Sequence, residues 1–353
     1  MSGSVPGEAP GEVTYYGGWG PAADDNDLGI ISVLSSIRLT RRVARCPLPM
    51  NPPPSPMWTP TAKIHSDKLK MFTKKKCWRS RLITKLFMAK YVEKGKIGSG
   101  GYGSVFAGYR KEDNVPVAIK HIPQTGVKHA EVTLEGKVKW IPLEVALMLR
   151  VSSEPVGNSA AVALLDWYDL DKELILILER PLPCCDLLDY INTHGPLEEH
   201  KARIITKQLV DALIEIQSRG VFHRDIKLTN ILIETGSDEP RVRIIDFGCG
   251  TFQSKKILKS YQGMLNVRIC MPEWFKKGRY RAGPATVWQL GTVLYEMLHG
   301  HLPFCSEDEI VLEDAFIYET VSIEAEEFLE SCLIKTQTAR PTLETLRDHP
   351  WLN

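Results

Sequence analysis

Eight residues, His223-Arg224-Asp225-Ile226-Lys227-Leu228-Thr229-Asn230, constrain this chain more than any other stretch. They bring a carboxylate, an ammonium and an amide close together, directly ahead of the apolar run Ile231-Leu232-Ile233. Phosphoryl transfer has a use for each of these groups. Asp225 would receive the proton of an attacking hydroxyl and aim its oxygen, Lys227 would neutralise charge on the phosphoryl group in flight, and Asn230 would hold Mg²⁺ through its side-chain carbonyl. A polar turn after an amphipathic helix is the plain alternative for a bare His-Arg-Asp triplet. The spacing out to Asn230 argues against it.

Three further stretches stand in the order such chemistry needs. Downstream by about twenty residues, Asp246-Phe247-Gly248 closes the strand-like run Arg241-Val242-Arg243-Ile244-Ile245. Asp246 would be the main metal ligand there, with Phe247 packed behind it. Upstream, Gly98-Ser99-Gly100-Gly101-Tyr102-Gly103-Ser104-Val105 is rich in glycine, which lets backbone N–H groups approach phosphate closely. A dinucleotide-binding turn would open a helix within its glycines. Here Tyr91, Val92 and Ile97 precede the turn while Val105 and Phe106 follow it, so strand, turn and strand is the expectation. Tyr102 at the tip would cover the phosphates. Next, Val117-Ala118-Ile119-Lys120 ends an apolar run in a charge, and Lys120 needs an acidic partner. Glu144 is preferred, in the helix expected from Ile141 to Arg150, over its rivals Glu131 and Glu135.

The run Leu174 to Leu178 reads as a strand, as does Ala161 to Trp167, and Glu179-Arg180-Pro181-Leu182-Pro183 follows. Proline has no backbone N–H, so Pro181 would remove one donor to a bound base and leave the Glu179 carbonyl as acceptor. With these residues assembled, the chain from about Tyr91 to Asn353 resembles a serine/threonine protein kinase of the Pim family. The resemblance rests on the catalytic stretch, on Glu179 to Pro183, on Leu165-Asp166-Trp167 and on Met271-Pro272-Glu273-Trp274.

The resemblance implies an α+β, bilobal protein kinase fold with a small β-rich lobe, a large helical lobe and a disordered N-terminal extension. It implies ATP and Mg²⁺ as cofactors. Catalysis would fall to Asp225, Lys227, Lys120 and Glu144, and metal binding to Asn230 and Asp246. ATP would be bound by Ile97, Gly98, Ser99, Gly100, Gly101, Tyr102, Gly103, Val105, Ala118, Lys120, Glu179, Asp186 and Leu232, with Leu178 as gatekeeper. Asp186 would lie at the ribose and Asp189 on an acidic substrate rim. Glu273 and Arg340 would form a buried structural pair.

The pattern also departs from that family. Leu228-Thr229 stands where Pim kinases carry acids that help recognise basic substrates, and Asp186, Asp189 and Glu307-Asp308-Glu309 are the candidates to compensate. Residues 263–270 lack the usual threonine, whose hydrogen bond Asn266 could take over. Thr286 stands where most kinases carry an aspartate that anchors the backbone of the catalytic loop. Ser254, Ser260 and Tyr261 are candidate phosphorylation sites, with Arg224 as a receptor for the phosphate, whereas the resemblance implies activity without that modification.

The expected domains are a Gly/Pro-rich tail over 1–60, a basic linker over 61–90 and a kinase domain over 91–353, dividing near residue 180. A net charge of +1 points away from nucleic acid. A minority reading gives the basic run from Lys63 to Lys96 a nucleic-acid or membrane-surface role. The eight cysteines include no C-x-x-C pair, which fits reduced thiols in the cytoplasm or nucleus. No apolar stretch is long enough to span a membrane, and neither a signal peptide nor a myristoylation site is expected. The expected protein is a monomeric serine/threonine kinase acting on proteins with basic residues near the acceptor. The alternative is a nucleotide-binding pseudokinase scaffold.

Overall fold

Val117, Ala118, Ile119 and Lys120 are all at most 5% exposed, so this strand is covered on both faces and lies inside a sheet. The computed structural model describes residues 69–353 apart from 101–102, 135, 153–156, 158, 238, 255 and 261–268, with side chains from Ser80 onward. The expectations for the tail over 1–60, for residues 61–68, and for Gly101, Tyr102, Glu135, Tyr261 and Asn266 lie outside the described residues.

In chain order the N-terminal half contains α1 (Leu69–Lys90), β1 (Tyr91–Gly100), β2 (Gly103–Arg110), β3 (Pro116–Pro123), β4 (His129–Leu134), β5 (Lys137–Pro142), α2 (Leu143–Val151), β6 (Leu164–Asp169) and β7 (Glu173–Glu179). Five of these strands form one antiparallel sheet in the order β1-β2-β3-β7-β6. Alternation along β3 sorts its residues between two layers. Val117 and Ile119 join Phe87, Tyr91, Tyr168, Ile175 and Ile177 on one face. Ala118 and Ile122 join Val145, Met148 and Leu176 on the other, beneath α2.

Two elements differ from the sequence expectation. Much of the segment read as a basic linker over 61–90 is the helix α1, and its C-terminal end is part of the small lobe. Ile83, Leu86 and Phe87 are spaced i, i+3, i+4, which puts them on one side. All three join the apolar layer behind the sheet, with Phe87 buried among Tyr91 and Tyr168. Polar ties reinforce the packing: Lys90 Nζ reaches Asp166 at 3.0 Å, and Ser80 Oγ accepts from the Asp171 N–H at 2.9 Å. The second difference is the hairpin β4–β5, which has Gly136 at φ +74° in its turn and a largely exposed face. It delays α2 until Leu143, so the helix is a residue or two shorter at its start than expected.

The C-terminal half contains β8 (Cys184–Asp186), α3 (Leu187–His194), α4 (Glu199–Ser218), β9 (Val221–Phe222), β10 (Ile231–Glu234), β11 (Arg241–Ile244), β12 (Thr251–Phe252), α5 (Pro272–Lys277), α6 (Ala282–His299), α7 (Glu307–Leu312), α8 (Ile323–Cys332) and α9 (Leu343–Arg347). Helices dominate this lobe. Ile205, Leu209, Leu213 and Ile216 make one buried stripe along α4, and Gly220 at φ +70° turns the chain into β9. Trp288 on α6 is fully buried against Phe304, and Arg340 lies over its ring at 4.8 Å. Arg340 also grips Glu273 with two hydrogen bonds of 2.9 and 2.6 Å, both side chains buried.

If the end of α1 is integral to the small lobe, Phe87→Ala leaves a hole behind the sheet. Its cost is expected at about 3–5 kcal/mol, read as a lowered midpoint in urea denaturation of the full chain.

Candidate active site

Two groups of polar residues are carried by neighbouring segments, joined where the Ile245 N–H donates to the Asn230 carbonyl at 3.0 Å. The first begins on β3. Lys120 Nζ is 2.8 Å from Glu144 Oε1 on α2 and 2.8 Å from Asp246 Oδ1 after β11. Of the candidate partners for Lys120, Glu144 is therefore the one in contact, and Glu131 lies exposed on the β4–β5 hairpin. Asp246 takes a left-handed conformation at φ +64° and accepts from the Gly248 N–H at 3.0 Å. A Cβ on Gly248 would lie 3.0 Å from Asp246 Oδ1 and 3.3 Å from Glu144 Oε2, so a glycine there leaves the cluster its room.

Charge decides how these three behave. Burial opposes the Lys120 ammonium, yet the Asp246 and Glu144 carboxylates outweigh it and hold Lys120 above its ordinary range. Burial also opposes ionisation of Asp246, but Lys120 and the Gly248 N–H hold it down at about 2. Glu144 lies above its ordinary value, because burial and the charge of Asp246 exceed what Lys120 returns. Asp246 is thus the firmly ionised member, and its side chain keeps 31% exposure against 9% for Glu144.

The second group is the loop between β9 and β10. Asp225 Oδ2 is 2.9 Å from Lys227 Nζ and accepts from Asn230 Nδ2 at 2.9 Å. Asn230 Nδ2 also donates to the Asp225 carbonyl at 2.8 Å, which leaves Oδ1 as its atom for a metal. His223 Nε2 donates to the Ile245 carbonyl at 3.0 Å, while Nδ1 accepts from the Asp225 N–H at 3.3 Å. Those partners require the neutral ring, and burial lowers the His223 pKa accordingly. Phe247 is buried with its ring 4.8 Å from that of His223.

The other nucleotide-site candidates line up on the sheet and beneath it. Ile97 is buried on β1, and Gly98, Ser99 and Gly100 pair with Val105, Ser104 and Gly103 on β2. Gly103 has φ +152°, and a Cβ there would collide with the His121 carbonyl; close strand packing therefore requires this glycine, apart from any phosphate. Ala118 pairs with Leu178 across β3 and β7, both buried, and Leu232 on β10 is buried below them. The Glu179 carboxylate does not face an open cleft: it accepts from Arg243 at 2.5 Å and from the Ala163 N–H at 3.0 Å.

Two candidate side chains have partners within the protein. Asp186 is completely buried and its Oδ1 caps α3 by accepting from the Asp189 N–H at 2.9 Å. Arg224 is not held in reserve for a phosphate. Its Nε and Nη2 donate to the carbonyls of Cys249 and Gly250 at 2.5 and 2.8 Å, and the residue is 7% exposed. Ser254 and Ser260, by contrast, are exposed.

Oxygen donors from Asp246 and Asn230 suit a hard divalent cation. Magnesium is commonly held by one or two protein oxygens, with phosphate and water completing its shell. Among the described residues no group of three His, Cys, Asp or Glu could hold a metal alone.

Comparison with known proteins agrees with this geometry. Residues 91–352 match the protein kinase domain. The chain belongs to the protein kinase family. Serine/threonine-protein kinase pim-2 of Danio rerio is 34% identical over 271 residues, covering 75% of this chain and 86% of that one. Serine/threonine-protein kinase prk-2 of Caenorhabditis elegans is also 34% identical, over 75% of this chain and 59% of its own length. The PAS domain-containing serine/threonine-protein kinase of Mus musculus is 30% identical over 74% of this chain and 18% of its own. The chain is an ATP-dependent serine/threonine protein kinase with the bilobal fold expected from its motifs.

One residue escaped the sequence reading. Gln289 on α6 donates through Nε2 to the Arg224 carbonyl at 2.8 Å and accepts through Oε1 from the Ile226 N–H at 3.3 Å. Its fully buried amide in an apolar helix was the signal that could have found it.

The depressed pKa of His223 makes a pH prediction. As pH falls through about 6.5, the unfolded chain binds a proton at this residue that the folded chain refuses, so folding stability drops. His121 acts with the opposite sign: burial lowers its pKa, but Glu93 and Glu173 at 2.7 and 2.9 Å more than offset that. Comparing parent with His223→Gln cancels the His121 contribution. Urea midpoints between pH 7 and about 5 are expected to fall less steeply in the variant.

Proposed function

We propose that this kinase is Pim-like: it transfers the γ-phosphoryl group of ATP to serine or threonine in peptides with basic residues near the acceptor. The observation that carries the reading is the pairing of Asp225, Lys227 and Asn230 on one loop with a Lys120–Glu144–Asp246 cluster from three other segments. The acceptor oxygen bonds to the γ-phosphorus as the bond to the β-γ bridging oxygen breaks, ADP leaves, and the hydroxyl proton passes to Asp225. Lys227, beside that carboxylate, meets charge on the transferred group. Lys120, fixed by Glu144, holds the phosphates that remain on ADP. Mg²⁺ held by Asn230 and Asp246 would supply neutralisation of the triphosphate charge.

The basic preference draws on acids outside the catalytic loop. Of the two positions where Pim kinases carry acids, Leu228 is buried in the core and Thr229 is half-buried and uncharged, so neither offers a carboxylate to the substrate. Glu307 and Asp308 are exposed at the start of α7, while Glu309 turns back to Ser306 and the Cys305 N–H. Asp189 is half-buried in the first turn of α3. The Pim-like character is supported by 34% identity to pim-2 and by Pro181 in the segment joining the lobes. We place the protein in the cytoplasm or nucleus as a monomer; the small net charge and the free thiols of its described cysteines agree with that.

Transfer from radiolabelled ATP to a positional-scanning peptide array tests the whole reading. Arg and Lys upstream of Ser/Thr should label most strongly. Asp225→Asn and Lys120→Met should each lower kcat by about 10²–10⁴-fold, and label that survives in both would refute the assignment. Charge reversal in Glu307→Lys/Asp308→Lys should raise KM for an Arg-rich peptide about 3- to 10-fold with KM for ATP unchanged.

A further inference from the structure

Four backbone groups bracket the catalytic carboxylate, and each has a partner. The Asp225 N–H goes to His223 Nδ1, and the Asp225 carbonyl accepts from Asn230 Nδ2. Both partners belong to the loop itself. The outer two groups, the Arg224 carbonyl and the Ile226 N–H, are taken by the single amide of Gln289 at 2.8 and 3.3 Å. Only one orientation of that amide works, with nitrogen toward the carbonyl and oxygen toward the N–H. A carboxylate could serve only the second group, and a hydrocarbon neither.

The loop needs such a hold. Arg224 lies at φ +71°, a region that side-chain-bearing residues seldom enter, and strain of that kind persists only where surrounding structure imposes it. The Arg224 side chain is fixed by the Cys249 and Gly250 carbonyls, and its own carbonyl by Gln289. Thr286 contributes nothing to this: its hydroxyl donates to the Ala282 carbonyl one turn back on α6, at 3.0 Å. Residues 286 and 289 are three apart on a helix and so share a face. Gln289, a longer side chain one turn later on α6, bonds the loop backbone where Thr286 does not.

We propose that Gln289 is the positioning residue for Asp225, clamping the peptide groups on both sides of it so that the carboxylate keeps its aim at the acceptor hydroxyl. The proposal rests on phosphoryl transfer at Asp225 and is independent of the peptide preference. A glutamine that merely satisfied buried backbone groups would affect stability alone; a positioning residue affects turnover.

The test uses the full chain with ATP and a basic Ser-containing peptide. Gln289→Leu removes both bonds at similar size. It should lower kcat about 10- to 100-fold while KM for ATP changes less than about 2-fold, and residues 223–230 should exchange backbone hydrogen for deuterium faster, with β3 and β7 unaffected. Gln289→Glu keeps the acceptor for Ile226 but sets a carboxylate oxygen against the Arg224 carbonyl, and should also lower kcat. If Gln289→Leu does not fold, Gln289→Met, unbranched and of similar length, carries the same comparison. A kcat within about 2-fold of parent, or unchanged exchange over 223–230, overturns the proposal. A parent that transfers no phosphate would refute the activity reading instead, and the exchange comparison would still judge the clamp.

Discussion

The Lys120 ammonium sits 2.8 Å from both Glu144 and Asp246, and three segments remote in sequence must arrive together for that to hold. An ion cannot be left alone in a protein interior without a large desolvation cost. With one carboxylate the cluster would be neutral; with two it carries an excess negative charge, and that excess stands at Asp246, its more exposed member. The site is thus charged for a cation before any ligand arrives. The sheet supplies the lysine, α2 the glutamate and the turn after β11 the aspartate, so the relation of the two lobes is recorded in one set of hydrogen bonds.

The catalytic chemistry was legible because it demands particular side chains at particular spacings. Asp225, Lys227 and Asn230 lie within one turn of chain, and Lys120 betrays itself as a charge ending an apolar strand. What stayed hidden depends on contacts between distant segments. Nothing near Arg224 says that its guanidinium will be spent on the Cys249 and Gly250 carbonyls. Nothing near Asp186 says that a carboxylate at the start of a helix will turn inward to cap it and lie fully buried. Nothing near Gln289 says that its amide will reach the Arg224 carbonyl and the Ile226 N–H, more than sixty residues away in the chain. In α1, lysines masked an apolar stripe at helical spacing, and the β4–β5 hairpin has too little buried surface to leave a strong alternating pattern.

The large lobe shows how polar residues lock a helical core. Arg340 meets Glu273 with both arms of its guanidinium, accepts the face of Trp288 and also donates to the Ile334 and Pro284 carbonyls. Those partners come from α5, α6 and the segment between α8 and α9, so a single side chain ties these three parts of the lobe together. Planar, bidentate geometry makes arginine suited to this and lysine not.

The packing of α1 separates two meanings of the word domain. By descent the catalytic unit runs from 91 to 352. By cohesion it starts earlier, since Phe87 is buried behind the sheet and Lys90 and Ser80 bond to residues around β6. A fragment trimmed to the ancestral border would present bare apolar sheet to water and invite association through it, so the border of kinship is a poor place to cut this molecule.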